Sequence, residues 1–317
     1  MSVFEISRII LVMFLWAICF PLIVAGFAYA PHLTFAALRA FITGGALVGI
    51  GLLFGRPWPR GGSVWATLVF VGLGATTLGF FGMFHASEFV SPGIATVIVN
   101  TQPLLAAVLA AMVLGEHLDA RGKFGLALGF GGIVFIALPQ LMTSQGQSYL
   151  IGIGYILLAA LGITVSNVLI RKIAHRVDLL MAMGAQLLVG GVPLAIGAFV
   201  LEEPRSVVWS PQFVLILGSL SLFGSSLVYW LWSAILQKTE LNRANAFSFL
   251  VPIFGLSLGA LFFNERVGWI EVIGIGLTLV GIALASRSKN RPALLQNLKN
   301  PDLPRSSPLQ EIRSTVK

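Results

Sequence analysis

Residues 91–116 read SPGIATVIVNTQPLLAAVLAAMVLGE, and residues 240–265 read ELNRANAFSFLVPIFGLSLGALFFNE. Both stretches are largely apolar and set a proline thirteen residues before a glutamate: Pro103 before Glu116, and Pro252 before Glu265. The two stretches lie 149 residues apart, and the same shift places Ala95 on Ala244, Gly125 on Gly274 and Gly132 on Gly281. Glutamates are scarce in this chain, so a repeated proline-to-glutamate spacing argues for an internal duplication.

A bilayer is crossed by a helix of about 20 predominantly apolar residues. Working outward from the two stretches, the sequence predicts ten such helices, near 6–26, 33–54, 64–84, 91–114, 121–139, 149–170, 179–200, 209–232, 242–263 and 268–286. The breaks between them have physical causes. Arg56-Pro57-Trp58-Pro59-Arg60-Gly61-Gly62 cannot continue a helix, and Ser91-Pro92-Gly93 starts one. Glu202-Glu203-Pro204-Arg205 is a further stop. A β-barrel would instead show alternating segments of about ten residues. Ala28-Tyr29-Ala30 resembles a signal cleavage site, but the apolar run before it is longer than the 7–15 residues of a usual signal core. It is read as a helix.

Composition supports this reading. Hydrophobic residues make up 57% of the 317 and charged residues 10%, against about 25% charged in soluble domains. Such a chain cannot cover a water-exposed surface, which excludes a soluble enzyme, a nucleic-acid module and a disordered chain. A single Cys excludes a disulfide framework and a multi-Cys metal site. Gly129-Phe130-Gly131-Gly132 lies within a span and follows no strand, so it is not a dinucleotide loop. With no P-loop lysine motif either, neither cofactor nor metal is predicted.

The net charge of +8 sits in the gaps between spans. With the N-terminus inside, seventeen of the twenty Lys and Arg fall on the cytoplasmic side, Arg205 and Arg266 on the other, and Arg39 within a span. Cytoplasmic loops carry such an excess. Both termini are therefore expected in the cytoplasm, with the chain in a cell membrane, a bacterial inner membrane being the expected setting. Residues 287–317 are expected to form a disordered basic cytoplasmic tail that can touch anionic lipid. The charge calls for a lipid bilayer as partner and not for nucleic acid. A homodimer is left open.

Residues 6–139 and 149–286 hold five spans each, and an odd number inverts the second half relative to the first. The fold class expected is an all-α membrane protein of ten transmembrane helices in two inverted five-helix repeats. Inverted halves that rock about a central site are a design of secondary transporters.

Several short pieces carry a family resemblance: Trp16-Ala17, Leu38-Arg39-Ala40, Ser91 to Ala95 with Gln102-Pro103 and Leu114-Gly115-Glu116, and Asn245 to Pro252 with Asn264-Glu265-Arg266. On these the chain resembles the drug/metabolite transporter superfamily, specifically its EamA-type group, over residues 6 to 286. Ala17 and Asn264 depart from the pattern, which more often has Gly at both. The resemblance implies ten helices in two repeats and transport of a small molecule. It does not single out a substrate, since members are thought to move amino acids, nucleotide sugars, drugs and other metabolites.

Candidate site residues follow from polarity at membrane depth. Thr96, Asn100 and Pro103 share one face of the fourth span, and Asn245, Ser248 and Pro252 one face of the ninth. Pro103 and Pro252 free the carbonyls of Val99 and Ser248 and kink their helices. Arg39 is the one basic residue well inside a span, at a cost of about 2.5–3.5 kcal/mol on insertion scales. Facing a cavity, it would attract an anionic group such as a carboxylate. Trp16, Asn167, Gln186, Tyr229 and Trp230 complete a cavity that is mostly apolar with a few placed polar groups. His85, Glu116 and Glu265 are candidates for proton coupling or gating, with helix-end closure as the alternative for the glutamates. Gly45/Gly49, Gly51/Gly55, Gly125/Gly129 and Gly255/Gly259 have the spacing that lets helices approach closely.

These expectations converge on a secondary transporter, more specifically an exporter of a small metabolite such as an amino acid or related compound, working by alternating access. The alternatives are an intramembrane lipid-modifying enzyme and a non-transporting scaffold. The enzyme needs converging catalytic groups, whereas His32, His85, His117 and His175 fall on alternate sides of the membrane in this threading. A non-enzyme is therefore expected.

Overall fold

Pro21 breaks the first apolar run in two. The fold comes from a computed structural model, which describes residues 3–102, 104–105, 108–109, 120–142, 146–173, 175–203, 206–236 and 250–286. Helix α1 (Val3–Ala17) stops four residues before Pro21, whose ring crowds the carbonyl of Ala17 and offers it no N–H. Helix α2 (Cys19–Gly26) follows. Ile18 bridges the two, its N–H on the Phe14 carbonyl and its own carbonyl on the Leu22 N–H, both at 3.1 Å.

The chain then runs through α3 (His32–Leu53), α4 (Gly62–Val71), a π-helical segment Gly72–Leu78, α5 (Gly79–Ala86) and α6 (Pro92–Val99). It continues through α7 (Ala120–Leu141), α8 (Gly146–Ile173), α9 (Leu179–Leu201), α10 (Pro211–Gly218), a second π-helical segment Ser219–Leu227, α11 (Val228–Leu236), α12 (Leu250–Phe263) and α13 (Trp269–Ser286). The described residues contain no strand.

Among the described residues six helical stretches are long and apolar enough to cross a membrane: Ile6–Gly26, His32–Leu53, Gly62–Ala86, Gln147–Ile170, Leu179–Leu201 and Pro211–Trp232. They match the first, second, third, sixth, seventh and eighth expected spans. Leu250–Phe263 and Trp269–Leu284 are shorter apolar helices. Pro103, Glu116, Asn245, Ser248 and the tail from residue 287 lie outside the described residues.

Two close helix pairs organise the bundle, α3 with α9 and α7 with α13. In lipid such pairs depend on van der Waals fit, which small residues permit. A Cβ on Gly132 would come 2.6 Å from the Gly274 carbonyl, and one on Gly274 2.7 Å from the Gly132 carbonyl. Gly184 and Gly44 face each other in the same way across α3 and α9. Gly45 and Gly49 face open space, so that expected pair makes no close helix contact among the described residues. Phe35 meets Phe84 edge-on at 5.1 Å and Phe213 at 5.4 Å, which ties α3 to α5 and α10.

Candidate functional site

Arg39 is 4% exposed, held among α2, α3, α5 and the second π-helical segment. Its Nη2 donates to the Ser225 Oγ at 3.0 Å and to the Cys19 Sγ at 3.7 Å. Its guanidinium carbon lies 4.5 Å from the centroid of the Phe80 ring, a cation–π contact worth about 2 kcal/mol or more when desolvated. Its Nε and Nη1 are buried and meet no hydrogen-bond partner among the described residues. Tyr229 packs against the apolar cluster that contains Cys19 and Phe80, the side chains in contact with Arg39. Two residues expected in one cavity, Arg39 and Tyr229, are thus brought together.

The π-helical segment supplies the rest of this interface. A π-helical turn widens the backbone spiral and misaligns its carbonyls, and such turns are frequent at functional sites. The Thr43 hydroxyl donates to the Ser221 carbonyl at 3.2 Å, and the Ser226 hydroxyl reaches the same carbonyl at 3.0 Å. The Ser221 hydroxyl itself is buried and has no partner among the described residues.

Gln186, buried on α9, accepts at Oε1 from the Thr76 hydroxyl at 2.8 Å, and Thr76 belongs to the first π-helical segment. The Thr77 hydroxyl donates to the Gly190 carbonyl at 2.7 Å. Gln186 and Arg39 are therefore held in parallel ways, each by a hydroxyl from a π-helical segment of another span.

The remaining expected residues are placed separately. Thr96 is buried and donates to the Gly93 carbonyl at 2.6 Å, and Asn100 donates to the Thr96 carbonyl at 2.7 Å, so both bond within α6. Trp16 tilts against Trp232 at 5.4 Å. Asn167 lies on an exposed face of α8, Trp230 is exposed, and Pro252 is buried. The serines and threonines of the π-helical segments, together with Cys19 and Thr43, were not among the expected residues. Their signal is in the sequence as Thr76-Thr77 and as Ser219, Ser221, Ser225 and Ser226 crowded into one span.

Carboxylates gather where α3 and α6 begin. Glu202 accepts from the Leu33 and Thr34 N–H groups and the Thr34 hydroxyl, each at 2.8 Å, and so caps α3. Glu265 accepts from the Gly93 N–H at 2.9 Å in the first turn of α6. Asn264, at φ 50, turns the chain back after α12 and delivers Glu265 there. Burial raises the Glu265 carboxyl above the ordinary carboxylate value, while the Gly93 N–H and the Ser91 hydroxyl pull it down. Beside it opens a cavity of about 280 Å³ lined by Glu88, Ser91, Tyr149, Glu265, Arg266 and Glu271, among others.

Two of the histidines, which the expected threading puts in loops on the same side of the membrane, come together. His32 and His85 meet edge-on at 5.5 Å, and His32 Nε2 is 3.1 Å from Glu88 Oε1. The helices that carry them, α3 and α5, respectively begin and end at the same end of the bundle. The His85 Nδ1 sits 3.0 Å from the Phe81 carbonyl. Among the described residues no group of three His, Cys, Asp or Glu could hold a metal ion.

Long apolar helices with sparse buried polar contacts define a multi-pass membrane protein. The chain belongs to the EamA-like transporter family, whose profile matches residues 3–138 and again 150–287. A WAT1-related chloroplastic protein of Arabidopsis thaliana is 30% identical over 258 residues, covering 79% of this chain; the chain spans 62% of that relative's length. A probable amino-acid metabolite efflux pump of Escherichia coli is 26% identical over 283 residues, covering 86% of this chain and 91% of the pump. A solved crystal structure shares the fold at a TM-score of 0.62 and 21% identity, over 95% of this chain and all of its own.

Proposed function

We propose that the protein is a secondary transporter, and not an enzyme, that exports a small metabolite of the amino-acid class by alternating access between two inverted halves of five helices. The observation that carries this is the parallel placing of Thr76–Gln186 and Ser225–Arg39. Thr76 and Ser225 stand 149 residues apart, as do Thr77 and Ser226, at the same shift that pairs Pro103 with Pro252. The π-helical segments Gly72–Leu78 and Ser219–Leu227 end on residues related by this shift. So, within one residue, do α3 and α9. A twofold family match over 3–138 and 150–287 supports the same division. Polar bonds at these crossings give two packings of the halves something definite to make and break.

In this reading ten helices span the membrane, the bacterial inner membrane being the setting, with both termini and the tail in the cytoplasm. Arg39, Tyr229 and Gln186 form the polar part of the substrate path, with Trp16, Thr96, Asn100, Asn167, Trp230, Asn245 and Ser248 along it. Pro103 and Pro252 kink its helices. His85, Glu116 and Glu265 couple protons or gate the path. Export of an amino-acid metabolite is supported by what the Escherichia coli relative is named for. The test is counterflow in proteoliposomes with labelled amino acids and related metabolites. Saturable uptake of at least one compound is expected, and no flux from folded protein overturns the reading.

A further inference from the structure

Four buried side-chain atoms lack a hydrogen-bond partner among the described residues: Arg39 Nε, Arg39 Nη1, Ser221 Oγ and Glu265 Oε2. Three of the four are donors at one interface, where α3 meets the second π-helical segment. Arg39 bonds Ser225 there, and Thr43, one turn along α3, bonds the Ser221 carbonyl. An unpaired buried donor is costly, and most so on a charged group. Among the described residues Arg39 has no carboxylate to balance it, since the ion pairs are His32–Glu88 and Arg56–Asp178. A lone cation in an apolar bundle, with donors to spare, is a site for an anion.

We propose that Arg39 is the seat for the carboxylate of the transported molecule, with the Ser221 hydroxyl as the next donor; this rests on the transport reading above. The planar guanidinium matches carboxylate and phosphate alike. Arg39 is, however, the one charged side chain in the buried set of the described residues. One cation balances a monoanion and leaves a phosphate dianion half-neutralised, which favours the carboxylate. Phe80 and Tyr229 beside it offer aromatic surface to the rest of the molecule. The substrate class is therefore a small monocarboxylate, amino acids included, with an apolar or aromatic remainder. Ser225 is a positioning residue, because it fixes Nη2 and leaves Nε and Nη1 free.

The experiment compares L-phenylalanine and L-alanine with their carboxamides, which keep shape and lose the carboxylate. Two readouts are taken: counterflow in proteoliposomes, and the shift in Tm of the detergent-purified protein. A charge-assisted bond lost with the carboxylate corresponds to about a tenfold preference or more for the acids. The wild type should show it, and only the acids should raise the Tm. Arg39→Gln should bring the ratio to about one, and Ser221→Ala should lower it. Should Arg39→Gln fail to fold, Arg39→Lys keeps the charge without the fork and should still erode the preference. Equal handling of acids and amides by the wild type overturns the proposal. So does a preference that survives in folded Arg39 and Ser221 variants, or a Tm shift that chloride alone reproduces. Flux without acid preference sinks the carboxylate seat alone. Acid-specific stabilisation without flux supports the seat and sinks the transport reading.

Discussion

The Thr76 hydroxyl donates to Gln186 Oε1 at 2.8 Å, and both residues are sealed from solvent at 0% and 1% exposure. Each is the other's partner across two spans, so their substitutions should not add. Thr76→Val leaves a buried amide oxygen unpaired, at about 1–3 kcal/mol. Replacing both partners with apolar groups of similar shape removes the unpaired group as well. Thr76→Val should therefore lower the Tm in detergent by several degrees, and Thr76→Val with Gln186→Leu should recover most of that loss. Strictly additive losses in this double-mutant cycle would show that the bond contributes nothing.

Glu202 is the N-terminal cap of α3, although it comes from the end of α9. It occupies three donors at the start of a helix that would otherwise leave its first N–H groups bare. Glu202→Ala should cost about 1–2 kcal/mol, the range of a lost cap with its favourable charge. Hydrogen exchange localises the effect: the Leu33 and Thr34 amides should exchange faster in the variant, while amides in the middle of α3 hold their protection. Uniform loss along α3 would assign Glu202 to packing instead.

Glu265 gives stability a pH dependence of definite sign. Its folded carboxyl lies above the ordinary glutamate value of 4.5 because burial disfavours the charged form. Below that value both folded and unfolded chains hold the proton, and its contribution to stability is complete. As the pH rises, the unfolded chain releases the proton first, and the contribution is lost through the folded pKa. The wild type should accordingly gain Tm relative to Glu265→Gln as the pH falls from 7 toward 4.5. Parallel Tm curves for the two proteins across that interval would show that Glu265 feels no net burial.

Much of this architecture could be read from the chain, and the reasons for the gaps are local. Apolar run length located the six long helices, since it follows directly from the thickness of a bilayer. It could not show that Pro21 divides the first of them, although the proline is plain to see, because hydropathy ignores the backbone N–H. Arg39 stood out as a lone charge, and its burial agrees. Ser225 and Ser221 carry no charge to mark them within an apolar run, and only the π-helical backbone and its contacts with α3 set them apart. Asn264 stands where the family pattern more often has Gly. The positive φ supplies the cause, for Asn tolerates the left-handed region better than most residues.

The glycines separate close contact from mere spacing. Gly45 and Gly49 have the small-xxx-small rhythm yet face open space, whereas a Cβ on Gly274 would lie 2.7 Å from the Gly132 carbonyl and 2.7 Å from the Ile136 N. Neither of those atoms can swing aside as a side chain tip would, so α7 and α13 would have to part. Gly274→Ala should cost about 1–3 kcal/mol, as overpacking does. Gly45→Ala should leave the Tm unchanged or raise it slightly, because alanine is the better helix former. Thermal unfolding of the two variants side by side in one detergent decides the matter. A larger loss for Gly45→Ala than for Gly274→Ala would mean that the close approach of α7 and α13 is not what holds this pair together.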